Sequence, residues 1–236
     1  MIIDNPRKPE KEISSEKHTL FIEDIPEQRI LVDKKRKHFK IEPKFKVYRV
    51  YIESFLELKK GLHTVFNELR HAGKNDYLEF RINSSGGFVR EGQQFYNLIQ
   101  EKFENRTVAF LDNYGYSMGA LLFCMAQRRV IYPYSDFMFH NYSAGAFGKG
   151  NEIESRVEHI SKTSKKFFYD IIVKKGFLNK KEFEEMQMGK DFWMDSKELC
   201  QRKIATHVII DGKLIKASKY LKKNSIKDKE EGNSSS

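Results

Sequence analysis

The sequence holds few cysteines, few prolines and no long apolar run, and these shortages exclude several classes of protein. Its two cysteines, Cys124 and Cys200, lie far apart in expected helices, which favours reduced buried thiols over a disulfide framework. No cluster of histidine, cysteine and acidic residues has metal-ligand spacing, so we expect no metal and no other cofactor. Without a run of about 18 apolar residues, no membrane-spanning helix is expected.

Positive charge, by contrast, is abundant. Lysine and arginine number 43 against 33 acidic residues, which gives a formal net charge of +10 at pH 7. The lysines concentrate at 34–37 and 213–229 with little aromatic interleaving and no nucleic-acid motif. We interpret them as a basic surface and expect no specific nucleic-acid partner. The first eight residues carry charge where a secretory signal needs an apolar core, which predicts a cytoplasmic protein.

Apolar residues recur with the spacing of strands and helices along most of the chain. Strand patterns alternate with helix patterns, which predicts an α/β fold with a mostly parallel sheet and right-handed crossovers. Ligands are then expected at the carboxyl ends of the strands. The main predicted elements are strands at Lys46–Ile52, Tyr77–Ile82 and Thr107–Leu111 and helices at Glu53–Arg70, Val89–Phe103 and Glu152–Lys175.

These patterns divide the chain into three parts. Residues 1–45 are an extended, charged leader, partly disordered and partly strand-like, with short strands expected at His18–Ile22 and Gln28–Val32. Residues 46–212 form the folded domain. Residues 213–236 are a basic, serine-rich tail, and a solvated chain is expected beyond Lys223.

A serine between two glycines is the most informative motif. Gly115-Tyr116-Ser117-Met118-Gly119 follows one apolar run and precedes another, which predicts a strand, a tight turn and a buried helix. The glycines let the backbone bend, and the helix points free N–H groups at the serine. Small residues also permit close helix–strand packing, so the motif indicates catalysis only if a histidine and a carboxylate accompany it.

Two further segments favour the catalytic interpretation. Tyr77–Gly87 reads as an alternating strand that runs into a Gly-Gly loop, whose uncovered N–H groups suit an oxyanion hole. Asp136–Asn141 reads as a short strand that ends at His140, a residue type that relays protons near neutral pH. The first segment also fits an ordinary strand–loop junction.

Together these segments resemble the Clp protease proteolytic subunit (ClpP) family of serine peptidases, which shares its framework with the crotonases. The family motifs correspond here to Ile82–Gly87, Tyr116–Ala120, Met138–His140 and Lys190–Leu199, within a resemblance that spans about residues 46–212. The fold implied is α/β, with repeated β-β-α units, a mostly parallel sheet with helices on its faces, and a projecting long helix.

The resemblance also implies a role for each matching residue. Ser117 would be the nucleophile, His140 the general base and then acid, and Asp191 the carboxylate that orients the histidine. The backbone N–H groups of Gly87 and Met118 would form the oxyanion hole. The activity implied is serine-type endopeptidase hydrolysis of peptide bonds through an acyl-enzyme.

Substrate contacts follow from the same resemblance, with departures from the family pattern. Four residues are expected to bind the substrate: Gly86, Phe88, Tyr142 and Ser143. Ser85 replaces a family proline, and Tyr142 and Ala144 replace a proline and a glycine in the strand that would bind the substrate backbone. A tyrosine there would reshape the cleft, so the cleavage preference of the family does not transfer.

Assembly and partners are further implications. Family members form rings of seven subunits, two rings stack through the long helix after the histidine, and an AAA+ unfoldase feeds them. Residues 152–175 would be the stacking helix, although intramolecular packing would give it the same apolar stripe. The family's amino-terminal Tyr-Ser-Arg-Leu-Leu segment has no good match in residues 1–45, so an unfoldase partner stays open.

Several alternatives remain at this point. An α/β-hydrolase triad would use Ser117, Asp191 and His207 in that order, although His207 opens a strand-like segment. Asp195 could exchange roles with Asp191, but it is better placed to cap the helix that follows it. The whole protein could also be a crotonase-type acyl-CoA enzyme or a non-catalytic ring or scaffold subunit.

Overall fold

The computed structural model describes residues 11–15, 18–25, 30–33, 38–41, 45–53 and 62–223. The strands in these ranges are β1 (Lys11–Ser15), β2 (His18–Ile25), β3 (Ile30–Asp33), β4 (His38–Ile41), β5 (Phe45–Ile52), β6 (Tyr77–Ser84), β7 (Thr107–Tyr116), β8 (Arg128–Ile131), β9 (Asp136–Phe139), β10 (Phe192–Asp195), β11 (His207–Ile210) and β12 (Lys213–Lys216). The helices are α1 (Leu62–Arg70), α2 (Val89–Lys102), α3 (Met118–Met125), α4 (Gly150–Ile172), α5 (Lys180–Gln187) and α6 (Ser196–Gln201), and residues 217–223 are also helical.

Ten strands join in one sheet with a parallel centre. Its order is β1-β2-β5-β6-β7-β8-β11-β12, with β9 paired to β7 and β10 paired to β9. The pairs from β5 to β11 are parallel, as is β7 with β9, whereas the outer pairs and β9 with β10 are antiparallel. β3 and β4 pair with each other. The predicted α/β fold with a mostly parallel sheet is confirmed.

Alternating burial along the strands fixes which face of the sheet carries the core. In β6, Leu78, Phe80 and Ile82 are fully buried, as their period-two spacing predicts. Helix α2 packs Phe95 against Phe80, with ring centroids 5.8 Å apart. Helix α3 is buried along its whole length, which explains why its sequence is apolar on every side.

The other face of β6 carries a line of charged residues. Arg49 contacts Glu79 at 2.7 Å, and Arg81 contacts Asp112 at 2.6 Å and the Tyr132 hydroxyl at 3.1 Å. These side chains are only partly exposed, so solvent screens each ion pair less than it would screen a fully exposed pair. This face of the parallel sheet is therefore polar, while the opposite face is covered by helices.

Helix α4 projects from the domain. Its buried residues all lie in its second half, whereas most of residues 150–163 are exposed. It ends near Gly176, whose φ of +76° and the bond from the Phe177 N–H to the Ile172 carbonyl form the expected glycine stop. The predicted projecting long helix is present, three residues shorter at its carboxyl end.

The folded region continues past the predicted boundary at residue 212. β12 pairs with β11, and Ala217 and Tyr220 of the following helix are buried, so residues 213–223 pack on the domain instead of extending as a tail. The predicted strand at 18–22 lies within β2. Predictions for residues 1–10, 34–37, 54–61 and 224–236 lie outside the described residues.

Two other expectations concern cysteines and membrane spans. Cys124 and Cys200 are buried free thiols, as predicted, and burial raises the pKa of each to about 12. Among the helices in the described ranges, none has the length and apolar character needed to span a membrane.

Candidate active site

Three segments meet at the carboxyl edge of the parallel strands β6, β7 and β9. β7 pairs with the end of β6 at Gly115 and with β9 at Tyr116. The segments that follow these strands therefore leave the sheet side by side, namely the Gly86-Gly87 loop, the turn at Ser117 and the chain at His140. Ligand sites of open parallel sheets form at this edge.

Ser117 forms the turn between β7 and α3 in a backbone conformation that non-glycine residues rarely adopt. Its φ is 54° and its ψ is −122°. Its N–H donates to the Met138 carbonyl at 3.0 Å, and its carbonyl accepts from the Leu121 N–H at 3.2 Å. Such strain costs about 1–3 kcal/mol and concentrates at functional sites. A serine in a strained strand-to-helix turn is typical of nucleophiles.

The two glycines of the motif serve close packing. A Cβ atom on Gly119 would lie 2.9 Å from the Ser84 carbonyl oxygen, and one on Gly115 would lie 2.7 Å from Leu111 Cδ1. Neither position has room for a larger side chain. The packing interpretation of these glycines therefore holds, and it positions the serine turn against β6.

The Gly-Gly loop lies directly on the serine turn. A Cβ atom on Gly86 would lie 2.7 Å from Ser117 Cβ and 3.1 Å from Met118 N, at a φ of +113° that favours glycine. The Gly86 N–H donates to Ser84 Oγ at 3.1 Å, so Gly87 carries the next N–H along the loop. Met118 opens α3, where N–H groups lack intrahelical acceptors.

His140 is half-buried and directly follows β9. The Ser117 N–H donates to the carbonyl of Met138, two residues before His140, so the serine turn and the His140 segment are adjacent at this edge. Asn141 anchors this segment, since its side chain donates to the Gln187 carbonyl at 3.0 Å and accepts from the Tyr142 N–H at 3.0 Å. Sequence analysis gave Asn141 no role.

The antiparallel pair of β9 and β10 has Asp191 and Asp195 at opposite ends. Phe192 pairs with Phe139, so Asp191 and His140 flank the same end of this ladder. Asp195 lies at the far end of β10, where its side chain accepts from the Glu198 N–H at 2.8 Å. The predicted capping role of Asp195 is confirmed, and it is incompatible with a place beside His140.

The three side chains are brought to one edge but are not joined. In the described part of the chain, no hydrogen bond links the Ser117 hydroxyl, the His140 ring and the Asp191 carboxylate. Asp191 is exposed, and Ser117 and His140 are half-buried. Catalytic hydrogen bonds are often long in unliganded enzymes and tighten when the substrate binds.

His207 lies far from this edge. It opens β11 opposite Val130 of β8, and Val130 pairs with Phe110 near the start of β7. Six residues of β7 lie between Phe110 and Ser117, which at the rise of a strand is a distance of about 20 Å. The Nδ1 atom of His207 lies 3.0 Å from Thr206 Oγ1. Burial, aided by the nearby cations Arg128 and Lys216, lowers the pKa of His207. The alternative triad of an α/β-hydrolase, with His207 as the base, is therefore not brought together.

An aromatic cluster that sequence analysis missed secures the end of β7. The Tyr116 hydroxyl donates to Asp136 Oδ2 at 2.6 Å, and its ring contacts Tyr114 and Trp193. Burial and this carboxylate raise the pKa of Tyr116 to about 12. Alternation along β7 and β10 could have suggested that aromatic side chains meet across strands. It could not have shown which of these side chains contact each other.

A groove of about 610 Å³ lies next to the Gly-Gly loop, between the start of α2, the segment after His140 and α4. Phe88, Tyr142 and Ser143, three of the predicted substrate-binding residues, line it, while Gly86 lies against Ser117. Within the described ranges, no three histidine, cysteine or acidic side chains come together in a way that could hold a metal ion.

The sheet, its projecting helix and the serine turn define the chain as an α/β protein of the ClpP and crotonase type. A family model described as Clp protease matches residues 59–211. Because the match covers more than half of the chain, the chain belongs to the Clp protease family, and the resemblance inferred from its motifs is confirmed. Membership implies, in general, a peptidase that acts on peptides and assembles in rings.

Proposed function

We propose that the protein is a serine endopeptidase that cleaves peptide bonds through an acyl-enzyme. The observation that carries this proposal is the meeting of the strained Ser117 turn, the Gly86-Gly87 loop and His140 at one sheet edge. The register of β10 supports the third member of the triad, because Asp191 directly precedes Phe192 and His140 directly follows its partner Phe139, at the same end of the ladder.

Each residue has one task in the reaction. Ser117 Oγ attacks the carbonyl carbon of the substrate while His140 accepts its proton, and the same proton then passes to the departing amine. Asp191 holds the imidazole in the required tautomer. Water, deprotonated by His140, then attacks the ester carbonyl carbon. The bond to Ser117 Oγ breaks, His140 returns the proton to Oγ, and the acid product leaves.

The oxyanion of each tetrahedral intermediate would lie between the N–H groups of Gly87 and Met118. The position of the loop against the serine turn supports this, because both donors then flank the Ser117 side chain. One such donor is worth about 3–4 kcal/mol in the transition state.

The substrate would bind as an added strand. Residues 140–147 follow β9 without forming a strand, and the loop at 86–88 borders the same groove. A peptide laid between the two segments gains main-chain hydrogen bonds from both, the usual basis of strand addition. Phe88, Tyr142 and Ser143 would contact its side chains.

Assembly into rings would complete the enzyme. Large apolar side chains remain exposed at Tyr134, Phe147, Val157 and Met188, and Val157 lies on the projecting half of α4. We assign this half of α4 to the contact between two stacked rings of seven subunits, and residues 46–223 to the peptidase domain. Sedimentation should give a mass of about fourteen chains, and a monomer across micromolar concentrations would refute this assembly.

A serine-directed fluorophosphonate probe tests the function. A peptidase with an activated serine is expected to be labelled at Ser117, and Ser117→Ala should abolish the label. A crotonase-type acyl-CoA enzyme or a non-catalytic scaffold subunit does not activate this hydroxyl and should stay unlabelled. Absence of label on the assembled wild-type protein would refute the proposed function.

A further inference from the structure

One buried acidic side chain lacks a partner. Glu91, in the first turn of α2, is 6% exposed, and its Oε2 atom has no hydrogen-bond partner. In the described ranges, every other buried side-chain nitrogen or oxygen has a hydrogen-bond partner. A carboxylate oxygen that is removed from water and left unpaired destabilises the protein by its desolvation free energy, and an ion pair with a bound cation would offset that free energy.

The cationic groups beside Glu91 leave it unpaired. Arg90 precedes it in α2, but consecutive helical residues do not face each other, and Arg90 is exposed. His159 of α4 lines the same groove and is also exposed. Neither makes a hydrogen bond or an ion pair with Glu91 in the described part of the chain.

The groove that Glu91 lines is next in sequence to a candidate oxyanion donor. Phe88, which also lines it, directly follows Gly87. A Cβ atom on Gly92, the neighbour of Glu91, would overlap the Met118 sulfur, so the start of α2 packs against the residue that follows the nucleophile. A side chain on the substrate residue whose carbonyl is attacked would enter this groove first.

The rest of the lining suits a long side chain with a cationic end. Phe88 is 52% exposed and, with Ile160, offers apolar surface for a methylene stem. Tyr142 and Ser143 add polar groups along the rim. Glu91 adds an unpaired carboxylate oxygen to the same lining. Apolar surface beside an unpaired acceptor matches lysine and arginine better than a neutral apolar residue.

We propose that Glu91 makes the peptidase prefer lysine or arginine at the residue immediately before the cleaved bond. This inference rests on the proposed peptidase function and adds the specificity of the same site. Glu91 touches the substrate side chain and takes no part in the chemical step.

Matched fluorogenic peptides that differ only at this residue test the proposal. Lysine is compared with norleucine, which has the same stem without the charge. The wild-type protein should show kcat/KM about 10–100-fold higher for the lysine peptide, the range expected for a hydrogen bond to a charged group. Glu91→Gln should bring the ratio close to one. Because the ratio cancels any loss of folded protein, a destabilised variant still gives an answer.

Glu101→Gln is the matched control, since Glu101 lies on the same helix with an exposed side chain and should keep the wild-type ratio. A wild-type ratio near one, or a ratio that Glu91→Gln leaves unchanged, would overturn the proposal. Cleavage of the norleucine peptide and probe labelling of Ser117 would then show that the peptidase itself stands. If neither occurs, the peptidase function fails and this inference fails with it.

Discussion

Replacing Gly86 with alanine perturbs the contact between the Gly-Gly loop and the serine turn. The added Cβ would lie 2.7 Å from Ser117 Cβ and 3.0 Å from the Tyr116 carbonyl oxygen, and the φ of +113° is itself unfavourable for alanine. Backbone strain contributes about 1–3 kcal/mol and overpacking about 1–3 kcal/mol, so we expect a loss of about 2–6 kcal/mol. For a chain of this size, that lowers the Tm by about 4–24 °C.

Two measurements on Gly86→Ala check this reasoning. Thermal unfolding gives the stability, and the rate of fluorophosphonate labelling reports whether Ser117 has moved away from its activating groups. Gly150→Ala is the matched control, because a Cβ there meets no atom within 4 Å, and it should keep both values. A Gly86→Ala protein with the wild-type Tm and labelling rate would refute the close contact on which the oxyanion-hole assignment depends.

Three further predictions follow from the site. Asp191→Asn should lower turnover and keep stability, whereas Asp195→Ala should lose about 1 kcal/mol of stability and keep activity. Kinetics and melting curves on both variants test this assignment, and the reverse pattern would show that Asp195 is the carboxylate of the triad. His140→Ala should abolish peptide hydrolysis and His207→Ala should leave it nearly unchanged, an assignment that an inactive His207→Ala protein would contradict. Burial, together with the hydrogen bond to Asp136, raises the pKa of Tyr116 from 10.0 to about 12 on folding, so this contribution to stability is fully present below pH 10 and is lost as the pH rises to 12. Tyr116→Phe should flatten that part of the stability profile, and an unchanged slope would refute the assignment.

Local patterns predicted the elements that bring the site together. The alternation of Leu78, Phe80 and Ile82 predicted a half-covered strand, and a run of apolar residues after Ser117 predicted a buried helix. The glycines predicted sharp turns at the edge of the sheet. These features depend on neighbours in sequence, so a sequence pattern suffices to find them.

The remaining features depend on contacts between distant segments. Asp191 and His140 come to the same end of one ladder through the pairing of β9 with β10, which are more than fifty residues apart in the chain, and no local pattern specifies that register. The anchor between Asn141 and Gln187 is of the same kind. The domain boundary was predicted at residue 212 because lysines dominate the segment that follows, and the two buried residues Ala217 and Tyr220 are too few to reveal its packing.

Hydrolysis of a short fluorogenic peptide by wild-type and Ser117→Ala protein tests the central claim most directly. Both proteins should show the same oligomeric state and Tm, because the Ser117 hydroxyl makes no hydrogen bond in the described structure that the fold would lose. We predict that turnover falls by about 10⁴–10⁶-fold, as expected for the nucleophile of a triad. Turnover within about tenfold of wild type would contradict the assignment of Ser117, and with it the peptidase mechanism proposed for this sheet edge.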